Sequence, residues 1–339
     1  MKYIINFEKH NIKSDQDKLV EIFDAIKIYD IDKFKLLIDD IDINLVLDNR
    51  DKRYKNYSQD DESSVIHYIC AAATQYDLEY IKEKLPKKLT VPTIKKICME
   101  MFDIALKKKC NLNTSCGKGW SNGYPIELLS RCSGPKVYNT QYFRDIFLLL
   151  IKNGADVNLG FSTPPLLNTM GFLNYETSKL LLENGADPSC CCAFDSCLNH
   201  TCWQACFEPL EKGMKFINLL FEYGVDVNIR PIDKFPFSTT TSATWTTLHG
   251  LSFQTASNSI PIFNYIVDKG ADLSLRNQQG QTCLETASGR VGELITKLEF
   301  QEKIIKMKLE NVLLIPKKIM RPEIKEKYQW YIESQKYNL

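Results

Sequence analysis

One phrase constrains this chain more than any other. It reads N-G-A-D-V-N at 153–158, N-G-A-D-P-S at 184–189, Y-G-V-D-V-N at 223–228 and K-G-A-D-L-S at 269–274. Each copy follows an apolar helical patch: Phe147-Leu148-Leu149-Leu150, Leu180-Leu181-Leu182, Ile217-Asn218-Leu219-Leu220 and Tyr265-Ile266-Val267. Gly154, Gly185, Gly224 and Gly270 therefore read as helix terminators in the left-handed conformation. The Asp and Asn that follow favour a tight turn into an extended segment. Such a recurrence predicts an array of similar units, each packed on its neighbours with no single central core. The length of 339 residues, large for one globule, is natural for an array.

A second phrase marks helix starts. It reads P-P-L-L at 164–167, T-T-L-H at 246–249 and T-C-L-E-T-A at 282–287, with weaker S-V-I-H at 64–67 and Y-P-I-E at 124–127. Ser and Thr suit the cap of a first turn, and Pro is tolerated there because its missing N–H would be unpaired anyway. The alternation of the two phrases resembles the ankyrin repeat, a unit of about 33 residues with a turn and two antiparallel helices. Asn277-Gln278-Gln279-Gly280-Gln281-Thr282 resembles that family's D-x-x-G-x-T hairpin, with Gly280 and Thr282 matching and Asn277 replacing Asp.

The resemblance spans residues 17–308 and implies an all-α solenoid of about seven helix-turn-helix units, irregular over 17–113 and well formed over 124–308. Residues 1–16 read as a lead-in and 309–339 as a partly helical tail. The first unit runs from Leu19 to Asn44, with Asp40 in place of the Gly. The second opens near Ser64, and later ones near Tyr124, Pro164, Thr201, Thr246 and Thr282. Residues 291–308 read as one charged amphipathic capping helix. His67 and His249 stand where the family's imidazole bonds backbone and bridges units, so the resemblance implies a structural role for both.

Long inserts interrupt the array at 74–91, 113–123, 132–140, 189–200 and 229–245; the first is expected to hold a short helix, Leu78 to Leu85. In repeat proteins such inserts map to loops, often on the binding face. Several carry aromatic side chains: Trp120 and Tyr124, Phe161, Phe194, then Phe235, Phe237 and Trp245. Aromatic groups dominate binding hot spots because they bury much area at low entropy cost. They are the candidate partner-binding residues; packing over their own loops is the competing expectation.

Twelve Cys are present, several inside helical patterns, which reads as reduced thiols in a reducing compartment. Six fall within 190–206 beside His200. Cys197, His200, Cys202 and Cys206 are the candidates for a metal site or a Cys–His dyad, yet the second pair lacks a clean C-x-x-C and nothing supplies an orienting group. The expectation is no metal, no cofactor and no catalysis; P-loop, dinucleotide and zinc-protease signatures are lacking.

A net charge of +1 and a modest basic excess after residue 301 give no electrostatic case for nucleic acid. No apolar run nears the ~18 residues of a membrane span, the longest being Ile146 to Ile151, and the N-terminus lacks the pattern of a signal peptide. The expected function is a monomeric, cytoplasmic module that grips another protein through a concave face and inserted fingers. The alternatives are an enzyme built into 189–206 and an adaptor whose tail recruits a second partner. Richness in Ile, Lys, Asn and Asp resembles ankyrin proteins of intracellular bacteria and large DNA viruses, which implies an effector acting in host cytoplasm.

Overall fold

The computed structural model describes residues 14–47, 63–75, 89–116, 123–131, 141–160 and 163–335. The chain divides into two compact units, Met1–Phe161 and Ser162–Leu339. Each is a stack of helix pairs. Among the described residues there are no strands, only isolated bridges.

Among the described residues the first unit holds three pairs: α1 (Asp15–Lys27) with α2 (Ile31–Ile38), α3 (Val65–Gln75) with α4 (Val91–Lys107), and α5 (Pro125–Ser130) with α6 (Gln141–Lys152). The leading helices stack, α1 on α3 and α3 on α5. Helix α1 begins at a capping box. The Ser14 hydroxyl accepts from the Asp17 N–H, and the Asp17 carboxylate accepts from the Ser14 N–H. Its apolar stripe, Leu19, Ile22, Phe23 and Ile26, is fully buried. Phe34, Phe102, Phe143 and Phe147 supply the largest buried side chains of the trailing helices.

The second unit holds four pairs: α7 (Pro165–Gly171) with α8 (Tyr175–Glu183), α9 (Cys197–Ala205) with α10 (Leu210–Glu222), then, after the short α11 (Pro231–Lys234), α12 (Thr247–Ser252) with α13 (Ser259–Asp268) and α14 (Cys283–Thr286) with α15 (Gly289–Ile295). Leading helices again stack in order, α7 on α9, α9 on α12 and α12 on α14.

The capping stretch differs from expectation. The single helix over 291–308 is two, α15 and α16 (Leu298–Met307), broken at Thr296 and Lys297. The tail is docked: the Gln301 amide donates to the carbonyls of Ile295 and Ile319, each 2.9 Å, and Asn311 donates to the Ile304 carbonyl. Val312, Ile315 and Ile324 are buried, and α17 (Pro322–Ser334) packs on α16.

The recurring phrase explains the stacking. In every copy the carboxylate or amide at its Asp position accepts the N–H two residues later: Asp42, Asn111, Asp156, Asp187, Asp226 and Asp272 each do so at 2.8–2.9 Å. The residue so positioned then reaches the next pair. Asn44 accepts from the Asn111 N–H, Asn113 from the Asp156 N–H, Ser189 from the Asp226 N–H and Asn228 from the Asp272 N–H. Local turn and inter-pair staple are thus one device.

Gly154, Gly185, Gly224 and Gly270 have φ of +80 to +92° and open space around a would-be Cβ, so the backbone conformation alone selects Gly. Lys109 takes the equivalent place in the second pair at φ +57°.

One boundary moves. The fifth pair opens at Ser196, not near Thr201. The Ser196 hydroxyl caps α9 by accepting from the Asn199 N–H at 3.2 Å. Thr201 lies inside the helix, fully buried, donating to the Cys197 carbonyl.

Candidate functional site

Two fingers of the second unit are tied together. In the first, the Cys197 N–H donates to the Cys190 carbonyl and the Cys192 N–H to the Asp195 carbonyl, both at 2.9 Å, which puts Ala193 and Phe194 at the tip. In the second, α11 leads into a turn at Phe235 and a 3-10 segment, Thr241–Thr244. Ser238 Oγ donates to the Ala193 carbonyl at 2.6 Å, Thr240 Oγ1 to the same oxygen at 3.2 Å, and Lys234 pairs with Asp187 at 2.6 Å. Adjacent to these contacts Phe194 is 54% exposed and Phe237 95% exposed; Phe235 is 41% exposed. Trp245 is half-buried and stacks on Phe253 with ring centroids 5.3 Å apart, so it also packs its own loop. Tyr124 is half-buried at the start of α5. Trp120, Phe161, the expected helix at 78–85 and the 132–140 insert lie outside the described residues.

The first finger runs straight into α9, and this helix carries a feature the sequence reading did not single out. Cys197, Leu198, Thr201, Cys202 and Ala205 are buried on one side. The opposite side presents His200, Trp203 and Phe207 at spacings of three and four residues, one face of a helix and its end. Trp203 is 42% and Phe207 62% exposed. Their rings meet edge to face at 5.3 Å, and His200 lies 6.2 Å from Trp203. The signal was legible as H-x-x-W-x-x-x-F, but placing the helix start at Thr201 left His200 in a loop and hid the row.

Asp195 orients this face. Its carboxylate accepts from the Ser196 N–H at 2.9 Å, from Asn199 Nδ2 at 2.7 Å and from His200 Nδ1 at 3.0 Å. Both side chains extend across neighbouring leading helices at glycines. A Cβ on Gly171 of α7 would lie 2.4 Å from His200 Nε2, and one on Gly250 of α12 would lie 2.0 Å from Asn199 Oδ1.

The described thiols are buried packing groups. The eleven described Cys are free and buried. Cys190 and Cys197 hydrogen-bond one another, and that contact and burial hold the Cys190 thiol well above its usual range. Burial does the same for Cys202 and pushes Cys206 up to about 11 and Cys191 to about 12. A protonated thiol is a poor nucleophile. Among the described residues no group of three or more His, Cys, Asp or Glu is arranged to hold a metal ion.

His67 and His249 act as staples. Nδ1 of His249 accepts from the Thr246 N–H and hydroxyl, and Nε2 donates to the Gln281 carbonyl at 3.0 Å. His67 makes the same set with Ser64 and the Thr114 carbonyl. A carbonyl only accepts and an amide N–H only donates, which fixes the neutral tautomer with hydrogen on Nε2. Burial pulls the His67 pKa down to about 4, against the smaller raising effect of its bond to Thr114, and pulls His249 down as well. In the hairpin, Gly280 has φ +74° and the Asn277 side chain accepts from the Gln279 and Gln281 N–H groups. Thr282 caps α14 in a capping box with Glu285.

Comparison with solved structures gives this arrangement its place. The crystal structure of the ankyrin repeat domain of Bcl-3, a member of the IkappaB protein family, superposes with a TM-score of 0.50 at 16% identity, covering 82% of this chain and 98% of that one. The chain has the ankyrin-repeat fold. The human ASB11 ankyrin repeat domain superposes with a TM-score of 0.48 at 17% identity, covering 80% and 94%. No protein-family model matches the sequence, and no curated protein matches it. In ankyrin-repeat terms α7, α9, α12 and α14 are inner helices and the 189–196 and 229–245 loops are fingers. Among the described residues no helix is long and apolar enough to cross a membrane.

Proposed function

We propose that this ankyrin-repeat chain is a protein-binding module whose contact surface runs from the joined fingers along the exposed side of α9. The observation that carries this reading is the row of exposed aromatic rings: Phe194 and Phe237 on the fingers, Trp203 and Phe207 on the inner helix. Fold stability does not call for them, since their helix already buries a full apolar stripe on its other side. Clustered aromatic groups on an exposed face are the makings of a hot spot. Binding is favoured over catalysis by the same geometry. Asp195 does supply the orienting carboxylate for His200 that the sequence did not disclose, but the Cys197 thiol is fully buried and engaged with Cys190. The buried, reduced thiols fit a cytoplasmic setting, that of a host cell if the chain is exported.

The test is affinity capture from a eukaryotic lysate with the wild-type chain, Trp203→Ala and Phe237→Ala, quantified by mass spectrometry, with a melting curve for each. Selective loss of the same captured proteins at unchanged melting temperature supports the reading. An unchanged captured set in both variants removes it.

A second contact has one observation behind it. Helix α17 of the docked tail leaves Trp330 63% exposed. An adaptor role predicts that Trp330→Ala loses a different captured protein from the one lost by Trp203→Ala.

A further inference from the structure

The second finger carries the densest run of hydroxyl groups in the chain. Eight of the ten residues from 238 to 247 are Ser or Thr. The fold uses several of them. Ser238 Oγ and Thr240 Oγ1 donate to the Ala193 carbonyl, Thr244 Oγ1 accepts from the Gln278 N–H at 2.8 Å, and Thr246 caps α12. Thr247 is fully buried. Thr239 and Thr241 have no such task. Both are exposed, and among the described residues neither hydroxyl has a hydrogen-bond partner. They alternate with the two hydroxyls that reach Ala193, as side chains on opposite sides of an extended segment do; Thr240 itself is extended, at φ −77° and ψ 137°. One side of the run joins the fingers, and the other leaves two hydroxyls open to solvent.

The surroundings decide which chemistry those hydroxyls suit. From Phe235 to Val267 there is no Asp, Glu, Lys or Arg, and no Ser or Thr of the run is followed by Pro. Lys234, just before this stretch, is paired with Asp187. Kinases choose their substrates by charge patterns, so the run offers them little to read. Pro236 stands two residues before the first hydroxyl. An uncharged stretch rich in Ser and Thr, with Pro, is the composition of O-glycosylated segments of the mucin-like class, whose linking sugar is an N-acetylhexosamine. The β-branched Thr residues also favour extended backbone, the form in which an acceptor peptide can lie across a transferase. A sugar on Thr239 or Thr241 displaces no bond of the fold. On Ser238 or Thr240 it would remove a donor from the joint between the fingers.

We propose that Thr239 and Thr241 are acceptor sites for O-linked glycosylation by an N-acetylhexosamine taken from a nucleoside diphosphate sugar. The threonine oxygen bonds the anomeric carbon of the sugar. The bond from that carbon to the diphosphate breaks, its electron pair leaves with the nucleoside diphosphate, and the hydroxyl proton passes to the base of the transferring enzyme. The site does not depend on the protein-binding reading.

The test uses the full chain purified from bacteria, in two arms. One mixes it with eukaryotic cytosol and azide-tagged UDP-N-acetylglucosamine. The other uses solubilised Golgi membranes and azide-tagged UDP-N-acetylgalactosamine. The chain should take up the tag in one arm, which identifies the source of the sugar, and peptide fragmentation should place it on Thr239 or Thr241. The double variant Thr239→Val, Thr241→Val keeps the β-branched shape and removes both oxygens; it should lose the tag with an unchanged melting curve. Ser238→Ala should still be tagged, since its hydroxyl belongs to the joint. No tag in either arm overturns the proposal. So does a tag that persists in the double variant, or a phosphoryl group rather than a sugar on these residues after incubation in the cytosol.

Discussion

The two units are built with the same staples and present different surfaces. Ser64–His67–Thr114 in the first and Thr246–His249–Gln281 in the second are the same capping imidazole bonded to the next hairpin. Yet the exposed large apolar groups described in the first unit are aliphatic and scattered, Ile28, Leu36 and Val91. In the second they are mainly aromatic, and they gather on α9 and its fingers. Since the fold devices are shared, the aromatic row is not a by-product of building a repeat. The units also end their helices differently. Gly185, Gly224 and Gly270 serve the second, whereas the first uses Lys109 at its second pair and Gly154 at its third.

The sharpest way to break that comparison is to damage one unit and watch the other. Phe102 is fully buried on α4. Phe102→Ala should cost about 3–5 kcal/mol, the usual range for emptying such a site. Hydrogen exchange by mass spectrometry should then show faster exchange across residues 14–160 and little change across 163–335, because an array is stabilised by neighbour contacts. Equal loss of protection in both would mean that the units fold as one.

Acid offers a gentler lever. The folded His67 pKa of about 4 lies below the ordinary 6.5, so between these values the unfolded chain binds a proton that the folded chain refuses. Stability should fall as pH drops from 6.5 toward 4, by about 3 kcal/mol at most for a shift of this size, and change no further from this group below pH 4. The cause is geometric as well as dielectric: a proton on Nδ1 would face the Ser64 N–H, which itself must donate. His249 adds a loss of the same sign in the second unit. His67→Gln should flatten the pH dependence of chemical denaturation followed by hydrogen exchange in the first unit while leaving that of the second. An unchanged slope would place the acid sensitivity elsewhere.

Much of this was legible before any coordinates. The Asp and Asn of the recurring phrase announced a turn, and Gly announced a left-handed stop; both follow from local backbone chemistry that a sequence carries directly. What the phrase did not disclose is that Asn113, Ser189 and Asn228 reach the next pair, because that depends on stacking. The start of α9 was misplaced for a similar reason. Cys190 to Cys192, Cys197 and a Ser looked like a loop, whereas burial makes those thiols core and frees Ser196 to cap. Once the helix begins at 197, His200, Trp203 and Phe207 fall on one side, and the candidate surface appears. The tail escaped for want of a local signal: its docking rests on Gln301 and Asn311 bonding distant carbonyls.

The aromatic row itself gives a third outcome. Trp203→Ala should weaken partner binding by about 2 kcal/mol or more with little change in melting temperature, the profile of an exposed hot spot. Trp245→Ala should do the reverse, losing stability first, because its ring stacks on Phe253. Isothermal titration and calorimetric melting on the two variants separate the roles; equal binding losses from both would extend the surface to α12.

The smallest effect tests the difference in helix ends. Lys109 holds φ +57° with its N–H donating to the Leu106 carbonyl, the place Gly224 fills with its N–H on Phe221. A side chain in the left-handed region is strained by its own Cβ against the backbone, by roughly 1 kcal/mol. Among the described residues Lys109 forms no ion pair that its replacement would sacrifice; the Lys108 ammonium is the one that meets Asp39. Lys109→Gly should therefore stabilise the first unit by up to about 1 kcal/mol, less what glycine adds to the entropy of the unfolded chain. The reciprocal change, Gly224→Ala, meets no atom within 4 Å, so any loss it causes measures the backbone preference alone. Chemical denaturation of both variants gives the two numbers. Gains and losses of opposite sign and similar size would show that the first unit departs from the second only in its choice of residue. A destabilised Lys109→Gly would mean that the lysine contributes to the first unit through its side chain, and the shared-device comparison would end at the histidines.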